Sequence, residues 1–290
     1  MNQPLKKILH FPITKILLGI SSCLAVLILV QNFISKPIFQ TLIATKQISD
    51  TFVNYTSIAV LLATYYFLFK FLEQRNITEI TIRNHTKELF GGFILGFGIL
   101  SLVILILYAL GYYQITNFNG YSYFLAPLSS LVISALLEEI MFRAILYRIL
   151  ENWLGTYIAL AIISVSFELP HIFNDNVTFL SIVLGLIFGF AHGIMYTYTK
   201  RIWLPFAFHL AWNFAQPFYG SNLSGIEDVG NIFSSTFNGP KLLTGSIYGL
   251  EDSILSIVLL SIVSIVFLYA SIQQGKIVPP SFKKQLKQQG

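Results

Sequence analysis

Eight apolar runs alternate with short polar patches along the chain, covering 13–33, 52–69, 89–110, 123–146, 154–173, 177–198, 202–219 and 254–272. Each is close to the length, about 20 residues, that an α-helix needs to cross hydrocarbon. The pattern therefore predicts an all-α, polytopic membrane protein of about eight transmembrane helices. The third and eighth runs carry no charge at all. The fourth, fifth and seventh carry ionisable residues, and those three are where chemistry is expected. Three parts follow: N-terminal transmembrane helices over 1–120, a core over 121–220 that holds the three runs with ionisable residues, and an outer loop, last helix and basic tail over 221–290.

Composition agrees, with 55% apolar and 11% charged residues, against about 25% charged in ordinary soluble domains. The single cysteine, Cys23, excludes an internal disulfide framework. A net charge of +5 does not imply nucleic acid, because the lysines and arginines sit at helix ends rather than on one face. Near the N-terminus, Lys6, Lys7 and Lys15 precede an apolar stretch in which Ile20-Ser21-Ser22-Cys23 loosely resembles a lipoprotein cleavage site. The apolar run continues through Val30, beyond a signal peptide's core, so an uncleaved anchor is expected.

Lysine and arginine counts on alternate connections set an expected orientation. One side holds Lys6, Lys7, Lys15, Lys70, Arg75, Arg83, Lys87, Arg148, Lys200, Arg201, Lys276, Lys283, Lys284 and Lys287, fourteen in all. The other holds three, Lys36, Lys46 and Lys241. Both termini are expected to face the cytoplasm of a cell-membrane protein. The long connection 220–250 lies on the outer side and is rich in Gly, Ser and Asn, with Glu227 and Asp228 near its start. The tail after Gln273 is expected to be disordered or to lie on anionic lipid.

Charges inside spans cost roughly 2.5–3.5 kcal/mol each on insertion scales, so their presence calls for a reason. Glu138, Glu139 and Arg143 fall within six residues of the fourth run. Glu139 and Arg143 share a helix face and can pair, while Glu138 points about 100° away. One carboxylate is then neutralised while its neighbour meets a different environment, as an acid/base site requires. The competing reading, a buried ion pair that fixes register, leaves Glu138 without a partner. In the fifth run, Ser-Phe-Glu-Leu-Pro-His places Phe167, Glu168, Pro170 and His171 together, with His171 near the depth of Glu138. In the seventh, His209 and Asn213 share a face as a candidate two-donor site. His192, beside Gly189 and Gly193, reads as packing or substrate lining, because the glycine pair predicts a close helix contact.

Three motifs in order, Glu138-Glu139-Ile-Met-Phe142-Arg143, Phe167-x-x-x-His171 and His209-x-x-x-Asn213, resemble the CPBP family, the CAAX-type prenyl endopeptidases and Abi bacteriocin-processing intramembrane proteases. Gly189, Gly193, Thr199, Trp203 and Pro205 also fall at that family's spacing, and the resemblance spans 123–219. The outer stretch through Gly239-Pro240, Leu243-Thr244-Gly245 and Gly249-Leu250-Glu251 also looks like bacterial members. The resemblance implies eight helices around a conical cavity with peptide hydrolysis at its base. By that similarity Glu138 with His171 activates water, His209 with Asn213 stabilises the oxyanion, and Glu139, Arg143 and Phe167 support them. The implied partners are the bilayer and a membrane-associated peptide or protein. Glu168 and Pro170 depart from the pattern, which is usually apolar there.

Two other classes compete. A non-catalytic immunity or scaffold protein of the same fold would tolerate loss of polar motif residues, and none is lost. A proton-coupled transporter would show inverted halves with broken helices, which the sequence lacks. Glu138, His171 and His209, with Glu139 as alternate, are a zinc ligand set on paper. The HExxH helix is absent, however, and asparagine suits carbonyl recognition better than metal. A metal-free, glutamate-driven mechanism is the expectation, with zinc left open.

Overall fold

The computed structural model describes residues 7–227 and 229–281; Lys6, Asp228, Lys283, Lys284 and Lys287, which entered the sequence argument, lie outside them. The protein is an α-helical, multi-pass membrane protein. Five helices are long and apolar enough to cross a bilayer by length and composition: α1 (Pro12–Leu42), α2 (Lys46–Glu73), α3 (His85–Ala109), α6 (Phe179–Thr199) and α9 (Ile254–Gln273). Three further helices stand among them. The rod α4 runs without a break through Ala126–Glu138, a π-helical stretch Glu139–Tyr147, and Arg148–Leu154. Helices α5 (Thr156–His171) and α7 (Trp203–Phe218) have 16 residues each. At 1.5 Å per residue such a helix is about 24 Å long, short of the roughly 30 Å hydrocarbon core. Length and composition thus single out five spans, and the three remaining helices are those that carry the candidate site.

Two boundaries differ from the apolar runs. Helix α1 continues past residue 33 to Leu42 through a π turn, Gln31–Ser35, placed just before Pro37, whose ring supplies no N–H to the helical ladder. The long connection 220–250 is not merely polar loop. Its strand β2 (Phe233–Phe237) pairs antiparallel with β1 (Tyr113–Phe118), which follows α3. These strands lie more than a hundred residues apart, β1 is largely exposed and β2 half-buried, so neither a turn signature nor an alternating pattern marks them. A one-turn helix α8 (Lys241–Thr244) completes that face.

Glycines let the site-bearing helices approach closely. A Cβ on Gly96 would lie 2.3 Å from the Phe208 carbonyl oxygen, and one on Gly92 would lie 2.5 Å from that of Leu204. Helix α3 therefore lies directly on the α7 backbone, as small residues permit in membranes. The expected Gly189 and Gly193 contact is present between α6 and α5. A Cβ at Gly189 would come within 2.8 Å of Ser164 Cα, and one at Gly193 within 2.9 Å of the Leu160 side chain. Gly96→Leu is expected to abolish the monodisperse, detergent-extracted species in size-exclusion chromatography. Gly98→Leu, at a position where a Cβ meets no atom within 4 Å, should leave it intact.

The end of the molecule that holds both described termini is stitched by ion pairs. Glu73 meets Lys15 at 3.3 Å and Arg148 at 2.9 Å, Glu79 pairs with Arg75, and Lys200 meets Glu151 at 2.6 Å. Burial opposes ionisation of Glu79, yet hydrogen bonds from Arg75 and the charge of Arg148 hold its carboxyl below the usual range. The tail is docked here rather than loose. Thr156 N–H donates to the Val278 carbonyl at 2.9 Å, Val278 N–H donates to Thr156 Oγ1 at 2.8 Å, and Ser281 Oγ donates to the Trp153 carbonyl at 2.8 Å. The expectation of disorder fails over 274–281, where Gly155, at φ 84°, leaves room for Val278 and Pro280.

Candidate active site

The opposite end opens into a cavity of about 380 Å³ that reaches from the middle of α4 to the connection before α9. Glu138 and Phe142 of α4, Phe167, Glu168 and His171 of α5, and His209 and Asn213 of α7 all line it. The fourth run's charges sit where α4 changes to π-helical hydrogen bonding, a local widening often found at functional sites.

The two glutamates separate as their positions on the helix require. Glu139 and Arg143 are both completely buried, with Oε1 and Nη1 3.1 Å apart. The Arg143 guanidinium lies 4.5 Å from the Phe167 ring centroid, a cation–π contact. Glu138 keeps a quarter of its side chain exposed to the cavity, touching only Ser134 Oγ at 3.4 Å and His209. Phe167 also stacks on His171 with centroids 4.9 Å apart, so one aromatic ring packs against both the buried cation and His171.

The histidines differ in what their ring nitrogens can do. His171 Nδ1 lies 2.9 Å from the Phe167 carbonyl. A carbonyl only accepts, so Nδ1 carries the proton and Nε2 keeps its lone pair in the neutral ring. His209 Nδ1 lies 3.0 Å from Glu139 Oε1, and its Nε2 lies 3.8 Å from Glu138 Oε2. To donate from Nε2 as well, His209 must carry both ring protons. The Asn213 amide makes no hydrogen bond with the described residues and faces the same cavity, where its NH₂ donates regardless of protonation.

Two further residues stand at the site: His192, read from the sequence as packing or substrate lining, and Glu251, which the sequence did not place here. His192 is fully buried, with Nδ1 against the Phe188 carbonyl at 2.8 Å, its ring 5.4 Å from that of His209, and Nε2 unpartnered. Matching its depth against His209 was the signal available. Glu251, from the outer connection, accepts from Trp212 Nε1 at 3.1 Å and from Ser224 N–H and Oγ at 2.7 Å each. Burial pushes its carboxyl above the usual range, against those hydrogen bonds. No helical periodicity points to it.

For a metal, the potential ligand atoms gathered most closely are those of Glu139, His192 and His209, all within 4.8 Å of one another. This is not the set Glu138, His171 and His209. Two of its members are hydrogen-bonded to each other, and the Arg143 guanidinium already neutralises the carboxylate. As built, these donors do not fit a catalytic dication.

Residues 120–215 match the family model described as type II CAAX prenyl endopeptidase Rce1-like. Every candidate from Glu138 to Asn213 falls inside that segment. No curated protein and no solved structure matches the chain.

Proposed function

We propose that this chain, whose residues 120–215 match the type II CAAX prenyl endopeptidase Rce1-like model, is an intramembrane endopeptidase acting on a membrane-associated peptide or protein. The observation that carries this reading is the division of labour between adjacent glutamates. Glu139 is held by Arg143 at 3.1 Å and His209 at 3.0 Å, while Glu138 is open to the cavity and meets only the looser, 3.8 Å approach of His209 Nε2. In this mechanism Glu138, with the neutral His171 beside the same cavity, takes a proton from water as its oxygen attacks the scissile carbonyl. Charge then develops on the carbonyl oxygen. Asn213 and doubly protonated His209 donate to it, and collapse of the tetrahedral species expels the amine as Glu138 returns the proton. No step requires a metal. The decisive experiment compares new peptide termini in cells carrying the native chain and a Glu138→Gln chain, which reads activity and substrate together. Termini found equally in both would refute the assignment.

Asn213→Ala is expected to slow turnover about 10²–10³-fold, the usual cost of one oxyanion donor, while leaving the amount of folded protein unchanged; a wild-type kcat would remove Asn213 from the site. The cavity opens away from the ion-paired, lysine-rich end, so substrate enters from the outer side of the membrane in this reading. In a Cys23→Ser background, Ile226→Cys at the cavity rim should react with an impermeant maleimide on intact cells. Ile82→Cys, 75% exposed at the other end, should react only after permeabilisation. The reverse pattern would invert the topology.

A further inference from the structure

Hydrolysis uses Glu138, and Glu251 is saturated by hydrogen bonds, but a third carboxylate in the cavity is used by neither. Glu168 is 5% exposed, lines the cavity, accepts no hydrogen bond from the described residues and has no cationic partner among them. Its seat is specific. Glu168 rests on the backbone of Gly185, where a Cβ would sit 1.6 Å from Oε2. No lysine or arginine lines the cavity, and Arg143 is held by Glu139. A carboxylate withdrawn this far into a cavity wall without a counter-charge is unfavourable, and packing does not ask for one at this position. An apolar side chain would fill the same volume against Gly185.

We propose that Glu168, seated on Gly185, is a specificity residue that receives a cationic group of the substrate, an ammonium or guanidinium close to the cleaved bond. This rests on the peptidase reading above and gives its substrate a chemical class. The bound cation supplies the counter-charge that the protein withholds. It also orients the chain relative to Glu138 in the same cavity, so that peptides lacking it lose both affinity and alignment.

The test uses purified full-length protein and a proteome-derived peptide library, read by mass spectrometry of the cleaved ends, with one arm acetylated at every N-terminus. The native chain should enrich Lys or Arg at least tenfold at one fixed position from the cut in the acetylated arm. Enrichment that appears only in the unacetylated arm identifies the cation as the peptide's own amine and equally supports the site. Glu168→Gln should erase the preference while cleavage persists, and Glu168→Lys should shift it to Asp or Glu. Gly185→Ala, which must displace the carboxylate, should weaken the preference without touching the charge. Cleavage without basic bias, or a bias that survives Glu168→Gln, overturns the inference and leaves the peptidase reading standing. Cleavage no greater than that of Glu138→Gln overturns the peptidase reading and the inference with it.

Discussion

Glu138→Gln is expected to abolish proteolysis, by at least the 10²–10⁴-fold that a positioned acid/base residue contributes, without lowering the amount of folded protein. The two halves of that result come from the same geometry. The side chain is partly exposed, touches Ser134 at 3.4 Å, and approaches His209 Nε2 no closer than 3.8 Å, so an isosteric amide keeps the packing while losing the proton acceptor. His171→Ala should act in the same direction. Its ring is held by the Phe167 carbonyl and by stacking on Phe167, and its removal deletes the neutral nitrogen on the cavity wall. The measurement is the rate of appearance of Glu138-dependent peptide ends, with protein level read by immunoblot of the membrane fraction. A Glu138→Gln chain that cleaves at the native rate would show that the base lies elsewhere.

Much of the site was legible because burying charge in a membrane is costly. Glu138, Glu139 and Arg143 stand out against an apolar run, and one helical angle separates their roles. Spacing of four residues likewise couples His209 to Asn213, and Phe167 to His171. What the sequence did not reveal depends on contacts between distant segments. Only the fold shows that His209 bridges Glu138 and Glu139, across 70 positions in the chain. Depth counting alone joined Glu138 to His171. Glu251 reaches the cavity from a connection with no periodicity, and Gly185 matters only because the Glu168 carboxylate lies across it. The β1–β2 pair was illegible for a related reason, since its strands are short, without a buried alternating face, and far apart in sequence. Tail docking depends on a positive-φ glycine whose significance appears only when residue 278 lies above it. Span number was the least legible. The helices that carry the chemistry are the short or charged ones, where apolar length stops being a guide.

Arg143→Met is expected to be the most destabilising single change in the site. It removes the counter-charge from Glu139, which is completely buried and otherwise contacts only His209. Deleting one partner of a buried pair typically costs about 3–5 kcal/mol, because the charge left behind has nothing to replace water. The extracted protein should therefore lose its folded fraction, seen as a fall in accumulation and in the thermal midpoint of aggregation. Cation–π contact with Phe167 at 4.5 Å adds to the loss, since Phe167 also supports His171. A second variant separates stability from chemistry. In Glu139→Gln/Arg143→Met neither partner is charged, so most of the folded fraction should return. Activity should not return with it. His209 Nδ1 then faces an amide in place of an ionised carboxylate, which weakens the hold on the doubly protonated ring required for donation from Nε2. A well-folded double variant with native turnover would mean that the buried pair sets helix register alone and that His209 needs no anionic support.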